Sequence, residues 1–326
     1  LLRSVGILES EEKMVDIPKH TSKLSVIVDF YLHSDAFRSL AGNTQKDYEK
    51  HLGAVLKTTV EGRLLGNYTV RSIKARHIRL AYAKWLIPTG DSKKDKLVRT
   101  ANYRKAALSK AWKHCMELDV MDNDPIRLVK SLPTKPRKVK WTRDQVLLFL
   151  DTAYGNFRWR SIGLIVHMAY EWAQRVGDMR TLTWDNINFS AQRLDLTQSK
   201  RGADVHLPIP DDLLSMLKQQ REDFGFQNYV APKTTPVAGA YVPYAIDHID
   251  AAINEVKEAA GLPKKLTAMD LRRTAITEMV EAGVETLELM QVTGHANPES
   301  VKPYLVNTFS GASNALNKRR SKDDQH

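Results

Sequence analysis

The chain has 326 residues, 42% of them apolar, enough to fill two ordinary cores, and a formal net charge of +11. Its longest apolar run, 161–173, falls short of the ~18 residues of a membrane span and is interrupted by His167. Cys115 is the only cysteine, which excludes an internal disulfide or a cysteine-rich metal site and fits a reducing, intracellular setting.

Residues 1–19, which open on Leu1 without a signal-peptide pattern, are read as an N-terminal tail or the remnant of a preceding segment. Four stripes at helical spacing follow. They are Leu24, Ile27, Val28 and Tyr31; Tyr48, Leu52, Val55 and Leu56; Ile78, Ala81, Tyr82 and Trp85; and Leu108, Ala111, Trp112 and Cys115. They predict a four-helix unit over 20–129, closed by the helix-stopping "DNDP" at 122–125. Residues 1–140 hold 28 Lys and Arg against 15 Asp and Glu, whereas 141–326 hold 21 against 23. The positive field therefore belongs to the first half. A polyanion is its natural partner, and a solvated lysine-rich surface is the plain alternative. Arg71, Lys74, Arg76, Arg79, Arg104 and Lys105 are expected on exposed helix positions, where they suit phosphate contacts.

Residues 130–141 contain two prolines and a run of basic residues, the composition of a linker, and Lys138 and Lys140 within it are further candidates for DNA contact. Thr142 and Gln145 have capping-box spacing and open a second, mostly helical domain over 142–309. Within it, 193–210 alternates apolar and polar residues on both sides of a Lys-Arg-Gly turn and reads as a β-hairpin. His114, His167 and His206 show no partner at metal-ligand spacing and are read as ordinary histidines; Trp112, Trp172 and Trp184 are read as packing. The tail, 310–326, includes a short helix candidate with Ala312 and Leu316 on one side.

Four separated stretches in the second domain stand out. "AYEWAQRVGDMRTLTWDNI" carries Arg175 and Asp178 at a helix start, and the hairpin turn "TQSK" carries Lys200. "TAMDLRRTAIT" carries Arg272 at another helix start, and "GHANPESVKPYLV" places Tyr304 nine residues after His295. A lone tyrosine on an amphipathic helix is ordinarily core; its spacing from His295 sets Tyr304 apart. In this order, after a basic helical domain and a linker, the stretches resemble the tyrosine recombinases, and among them the phage integrases, over residues 20–310.

The resemblance implies a mainly α protein: a four-helix, SAM-like core-binding domain followed by a mostly α catalytic domain with a small β-hairpin or sheet, α+β in class. It implies Tyr304 as nucleophile, since a tyrosine keeps the phosphate as an ester where water would not. Arg175 and Arg272 would hold the non-bridging phosphate oxygens. Lys200 would protonate the leaving 5′ oxygen, His295 would bind the scissile phosphate, and Asp178 would buttress Arg175. Arg273 is expected on a different helix face, as a structural or DNA-backbone residue. The implied partner is double-stranded DNA, clamped between the two domains, with a homotetramer at synapsis, directionality or host DNA-bending factors, and a bacterial or phage-infected cytoplasm. No metal, cofactor or membrane is implied. The tail would dock on a neighbouring protomer or end as a frayed basic terminus.

One position departs from the family. Three residues before the second arginine the usual His or Lys is replaced by Met269, and a thioether is no general base. This leaves slower cleavage, substitution by His295 or water, or an inactive protein. The leading expectation is an active site-specific recombinase, an integrase of a phage or mobile element working through a 3′-phosphotyrosyl intermediate and a Holliday junction. The alternatives are a DNA-binding or architectural protein with the catalytic constellation as a remnant, a chromosome-dimer or cassette recombinase, and, less well matched by the short linker, a type IB topoisomerase.

Overall fold

The first apolar stripe forms α1 (Leu24–Leu32), and one further turn of helix, α2 (Asp35–Arg38), follows it. The other stripes form α3 (Gly42–Leu56), α4 (Ala75–Trp85) and α5 (Val98–Met116). This is a computed structural model describing residues 17–88, 97–134, 137, 139–200, 202–304, 311–313, 316–317 and 319–320, and the chain divides into two compact units, 1–136 and 137–326. In the first unit α5 packs against α1, α3 and α4 around Leu24, Leu52, Ile78, Trp85, Leu108 and Trp112, all fully buried. The indole N–H groups are satisfied inside this core: Trp85 donates to Thr58 Oγ1 at 2.8 Å and Trp112 to the Asn123 carbonyl at 2.7 Å.

Two features of this unit differ from the sequence reading. A two-stranded ribbon, β1 (Thr59–Val60) and β2 (Arg63–Leu64), sits between α3 and α4, turning at Glu61 and Gly62, both with positive φ. Strands of two residues are too short to leave an alternating signal. Arg104 and Lys105, expected exposed, are half-buried. Burial lowers the pKa of both, and the Lys105 ammonium donates to Ser131 Oγ at 3.1 Å. Arg71, Lys74, Arg76 and Arg79 are exposed as expected, along α4 and its approach.

The second unit starts inside the segment read as a linker. Trp141 is buried, its N–H donating to Thr274 Oγ1 at 2.9 Å and its indole to the Thr267 carbonyl at 3.0 Å. The Thr142–Gln145 capping box forms and opens α6 (Arg143–Tyr154). Next comes α7 (Phe157–Glu171), buried from Arg160 to Tyr170 without interruption and packed against α6 and four later helices: α8 (Val176–Met179), α9 (Asp211–Phe224), α10 (Ile246–Ala259) and α11 (Ala268–Glu281). Gly163 permits the tight crossing with α6, since a Cβ there would lie 2.8 Å from that of Ala153.

The predicted hairpin is β4 (Arg193–Thr197) with β5 (Asp204–Pro208), antiparallel with Leu194 opposite Leu207; β3 (Ile187–Asn188) adds a short third strand in the order β3-β4-β5. The last helix, α12 (Thr286–Thr293), contacts β5 and α11, and single 3₁₀ turns follow at Pro298–Ser300 and Lys302–Tyr304. Tyr304 therefore sits on a 3₁₀ turn rather than an amphipathic helix. Its N–H reaches the Val301 carbonyl at 2.9 Å, and Pro298 and Pro303 lack the N–H groups that a longer helix needs. The described tail residues, 311–313, 316–317 and 319–320, are helical. The chain is thus mainly α with small antiparallel sheets. Among the described residues no helix is long and apolar enough to cross a membrane.

The start of α11 is held by a buried carboxylate. Asp270 accepts from Thr267 N and Oγ1 at 2.9 and 2.8 Å and forms an ion pair with Arg137 at 2.8 Å. Burial alone raises the Asp270 carboxyl, but the hydrogen bonds from Arg137 and Thr267 outweigh it and hold the pKa below the usual range. A depressed folded pKa contributes stability above the unfolded carboxylate range, and this is lost as the pH falls through the folded value. Asp270→Asn should cost about 2 kcal/mol in urea unfolding at pH 7, discounted because Arg137 is half exposed. The gap to the parent should narrow as the pH falls below the unfolded carboxylate range and close only once the pH is below the depressed folded value.

Candidate active site

The site begins where α7 ends. Ala173, fully buried with φ of 49°, turns the chain out of the helix and delivers Gln174 and then Arg175, which precedes α8. Asp178, one turn on, is buried behind Arg175, its Oδ2 3.7 Å from the guanidinium. Its Oδ1 accepts from Ser199 N at 3.2 Å and from Ser199 Oγ, fastening the base of the β4–β5 turn to α8. Lys200, the next residue, is exposed on that turn.

Helix α11 supplies Met269, Arg272 and Arg273. Its approach is tied down by Lys257, whose buried ammonium, with a pKa lowered by desolvation, donates to the Leu266 carbonyl at 2.5 Å. Arg272 is buried and donates from Nη2 to the Thr293 carbonyl at 2.7 Å. Gly294, with φ of 65°, caps α12 in the left-handed conformation, and a Cβ there would meet the Gln198 side chain at 2.8–3.0 Å. The glycine before the histidine is therefore required twice, by backbone and by space. His295 follows, buried, its Nδ1 2.7 Å from Thr293 Oγ1.

These segments enclose a cleft of about 770 Å³ in the second unit, lined by Arg175, Lys200, Met269, Arg272, His295 and Tyr304 among others. All five candidate catalytic side chains and the departing methionine meet there, and Asp178 lies behind the wall. Tyr304 is half-buried, its ring 6.1 Å from that of His295. Arg273 also lines the cleft, its guanidinium 5.9 Å from the Tyr304 ring centroid, while donating to the Arg137 carbonyl. The sequence reading, which set Arg273 on another face, missed this. Met269 is 86% exposed at the cleft. Three arginines, a lysine and a histidine beside a tyrosine, with Asp250 the one carboxylate among the lining residues, give the cleft charge that can hold an anion and a hydroxyl in the same space.

Other candidates fall elsewhere. Lys138 lies outside the described residues, and Lys140 pairs with Glu281 at 3.1 Å. Arg76 stands 3.5 Å from Glu61. His206 is exposed and bonded to Asp195 at 2.5 Å, and His114 stacks on Phe30. His167 corrects the sequence reading. Its Nδ1 meets the Tyr154 hydroxyl at 2.9 Å, its Nε2 faces Asp212 at 3.5 Å, and with Glu171 they bring ligand atoms within 4.8 Å of one another. Glu171, four residues on along α7, was a visible partner; Asp212 was not. With both nitrogens engaged and its pKa lowered by burial, His167 serves here as a neutral link between hydroxyl and carboxylate.

The matching family model, the phage integrase family, spans residues 141–310, and the chain belongs to that family, among the tyrosine recombinases. The chain is 24% identical over 228 residues to tyrosine recombinase XerC of Pediococcus pentosaceus, covering 64% of this chain and 71% of that one. It is 27% identical over 152 residues to tyrosine recombinase XerA of Pyrococcus furiosus, covering 43% and 48%. Among solved structures it resembles a lambda integrase (75–356) dimer bound to a COC′ core site, with TM-score 0.71, 18% identity and coverage of 88% and 97%. It also resembles the Tn1549 transposon integrase in complex with circular intermediate DNA, with TM-score 0.69, 16% identity and coverage of 90% and 99%. At these identities the structural likenesses establish the fold.

Gly294→Ala should cost about 1–3 kcal/mol in urea unfolding, because both the left-handed backbone and the Gln198 contact oppose a methyl. A loss under about 0.5 kcal/mol would mean that Gln198 moves aside freely.

Proposed function

We propose that the chain is a site-specific DNA recombinase, an integrase of a phage or mobile element. The observation that carries this is the convergence of Tyr304, Arg175, Arg272, Lys200 and His295 on one cleft. The Tyr304 oxygen attacks the scissile phosphorus and the bond from phosphorus to the 5′ oxygen breaks, leaving a 3′-phosphotyrosyl ester. Lys200 gives its proton to the departing 5′ oxygen, and the arginines stabilise charge on the non-bridging oxygens as it develops. A 5′ hydroxyl from a second duplex then attacks the ester and releases the tyrosine, and two such rounds pass through a Holliday junction.

The assembly proposed is a homotetramer on two duplexes, assisted by directionality or host DNA-bending factors, in the cytoplasm of a bacterial or phage-infected cell. The analogy is a lambda integrase tetramer solved bound to a Holliday junction, to which this chain is 17% identical, with TM-score 0.69 and coverage of 87% and 77%. The basic first half supplies phosphate contacts through Arg71, Lys74, Arg76 and Arg79, which position the protein without reading sequence. Arg104 and Lys105, half-buried, have less reach for this role.

The proton on Tyr304 is the weak point of the machinery. With a thioether at 269, the acceptor is His295 or a water. The exposure of Met269 on the cleft also supports a second reading, a DNA-binding protein that has lost turnover.

Incubated with a duplex library nicked so that the cleaved fragment diffuses away, the parent should form SDS-resistant adducts and Tyr304→Phe none. Specific binding without adducts in the parent would favour the second reading. Met269→His should speed single-turnover cleavage by about 10-fold or more, less than the ~100-fold at the low end of general-base effects because His295 or water already accepts the proton; an unchanged rate would remove the penalty assigned to this position.

A further inference from the structure

Between Arg175 and Arg272 lie two buried glutamines, Gln174 and Gln198, to which the proposed reaction assigns no role. Their hydrogen bonds form a closed set. Gln198 Nε2 donates one N–H to Gln174 Oε1 at 2.6 Å and the other to the Thr293 carbonyl at 2.9 Å. Its Oε1 accepts from Arg175 Nη1 at 3.2 Å. Gln174 Nε2 donates to the Trp172 and Val292 carbonyls at 2.8 and 2.7 Å, and its Oε1 also accepts from Arg272 Nη1 at 3.3 Å. All four amide N–H bonds are therefore committed, and flipping either amide would turn its NH₂ against a guanidinium.

We propose that Gln174 and Gln198 form a neutral amide bridge that positions Arg175 and Arg272 as one phosphate-binding pair and couples that pair to the hairpin carrying Lys200. The proposal rests on the reading of the cleft as a phosphodiester site and deepens it. Three features of the geometry carry it. The bridge touches both guanidiniums, so neither turns without breaking a bond to a buried amide. Gln198 lies two residues before Lys200, and Ser199 between them is bound to Asp178, so the turn is fastened at successive positions to the Arg175 segment. The amide oxygens orient the arginines without cancelling their charge, whereas a carboxylate at 198 would form an ion pair and compete with the phosphate. Gly294 belongs to the same device, since a side chain there would displace Gln198. Both glutamines are positioning residues, acting through the arginines.

The test compares the parent with Gln198→Met, Gln174→Met, the double variant and Gln198→Glu. Three readouts are taken: single-turnover adduct formation on nicked duplex at saturating protein, duplex affinity, and affinity for inorganic phosphate. Each single Met variant should slow adduct formation by about 100-fold, the scale of a misplaced catalytic group, with duplex affinity within about 3-fold of the parent, because most contacts with a duplex lie away from the cleft. Phosphate should bind about 10-fold more weakly, as when a supporting residue behind a site is removed. The double variant should be no worse than either single one, because a bridge is broken only once. Gln198→Glu, isosteric with the parent, should lose phosphate affinity to a similar degree, and it carries the test if the Met variants do not fold. Losses that multiply between Gln174 and Gln198, or unchanged phosphate affinity in the Gln198 variants, would overturn the bridge. If the parent forms no adduct, the recombinase reading fails, and the phosphate arm still decides the bridge.

Discussion

The second unit depends on one constraint: from Arg160 to Tyr170, α7 is buried on every side. A helix with no solvent face cannot end at the surface of its own packing layer, and this one ends among its neighbours, where the chain must turn at once. Ala173 makes that turn in the left-handed conformation with no room around it, and the polar residues that follow emerge at the wall of the cleft. Polar backbone at such a place needs partners, and Gln174 supplies them by donating to the carbonyls of Trp172 and Val292. The site is thus made at the point where the helix runs out.

The same constraint explains how so much positive charge can sit in the interior. Arg272 is buried, and it donates to a main-chain carbonyl and to an amide oxygen, neutral groups that accept its N–H bonds without adding charge. Arg175 has a carboxylate nearby, but at 3.7 Å, while Asp178 is bonded more closely to Ser199. Arg175, Arg272, Arg273 and Lys200 outnumber Asp250 on the walls of the cleft, which suits the cleft to an anion. Burying a guanidinium is costly unless its N–H groups are bonded, and the Thr293 carbonyl and the Gln174 amide oxygen meet that need for Arg272. Outside the cleft the opposite solution is used: Arg137 and Asp270 pair directly, and their pairing serves α11 rather than any ligand.

The sequence reveals the parts of this molecule that are written in periodicity or in local spacing. The stripes from Leu24 to Cys115 give the helices of the first unit; Thr142 with Gln145 marks the start of α6; alternation around "TQSK" marks the hairpin. The cleft side chains are legible because the family resemblance fixes their order along the chain. What stays hidden depends on neighbours distant in sequence. Gln174 and Gln198 both stood in quoted stretches, but their meeting with Thr293 follows from packing that no local pattern encodes. Arg273 was assigned from its own helix alone, and its approach to Tyr304 depends on where a 3₁₀ turn some thirty residues later comes to rest. The β1–β2 ribbon is too short for periodicity to register. Glu171 is different: its spacing from His167 was readable and was passed over.

Tyr304 enters the cleft on a single 3₁₀ turn after every other cleft-lining side chain has been made. During synthesis the arginines, the hairpin lysine and the histidine leave the ribosome first, and the hydroxyl joins them last. Order of translation thus separates the charge of the cleft from its hydroxyl. A product that stops short of residue 304 carries the charged walls of the cleft without the hydroxyl.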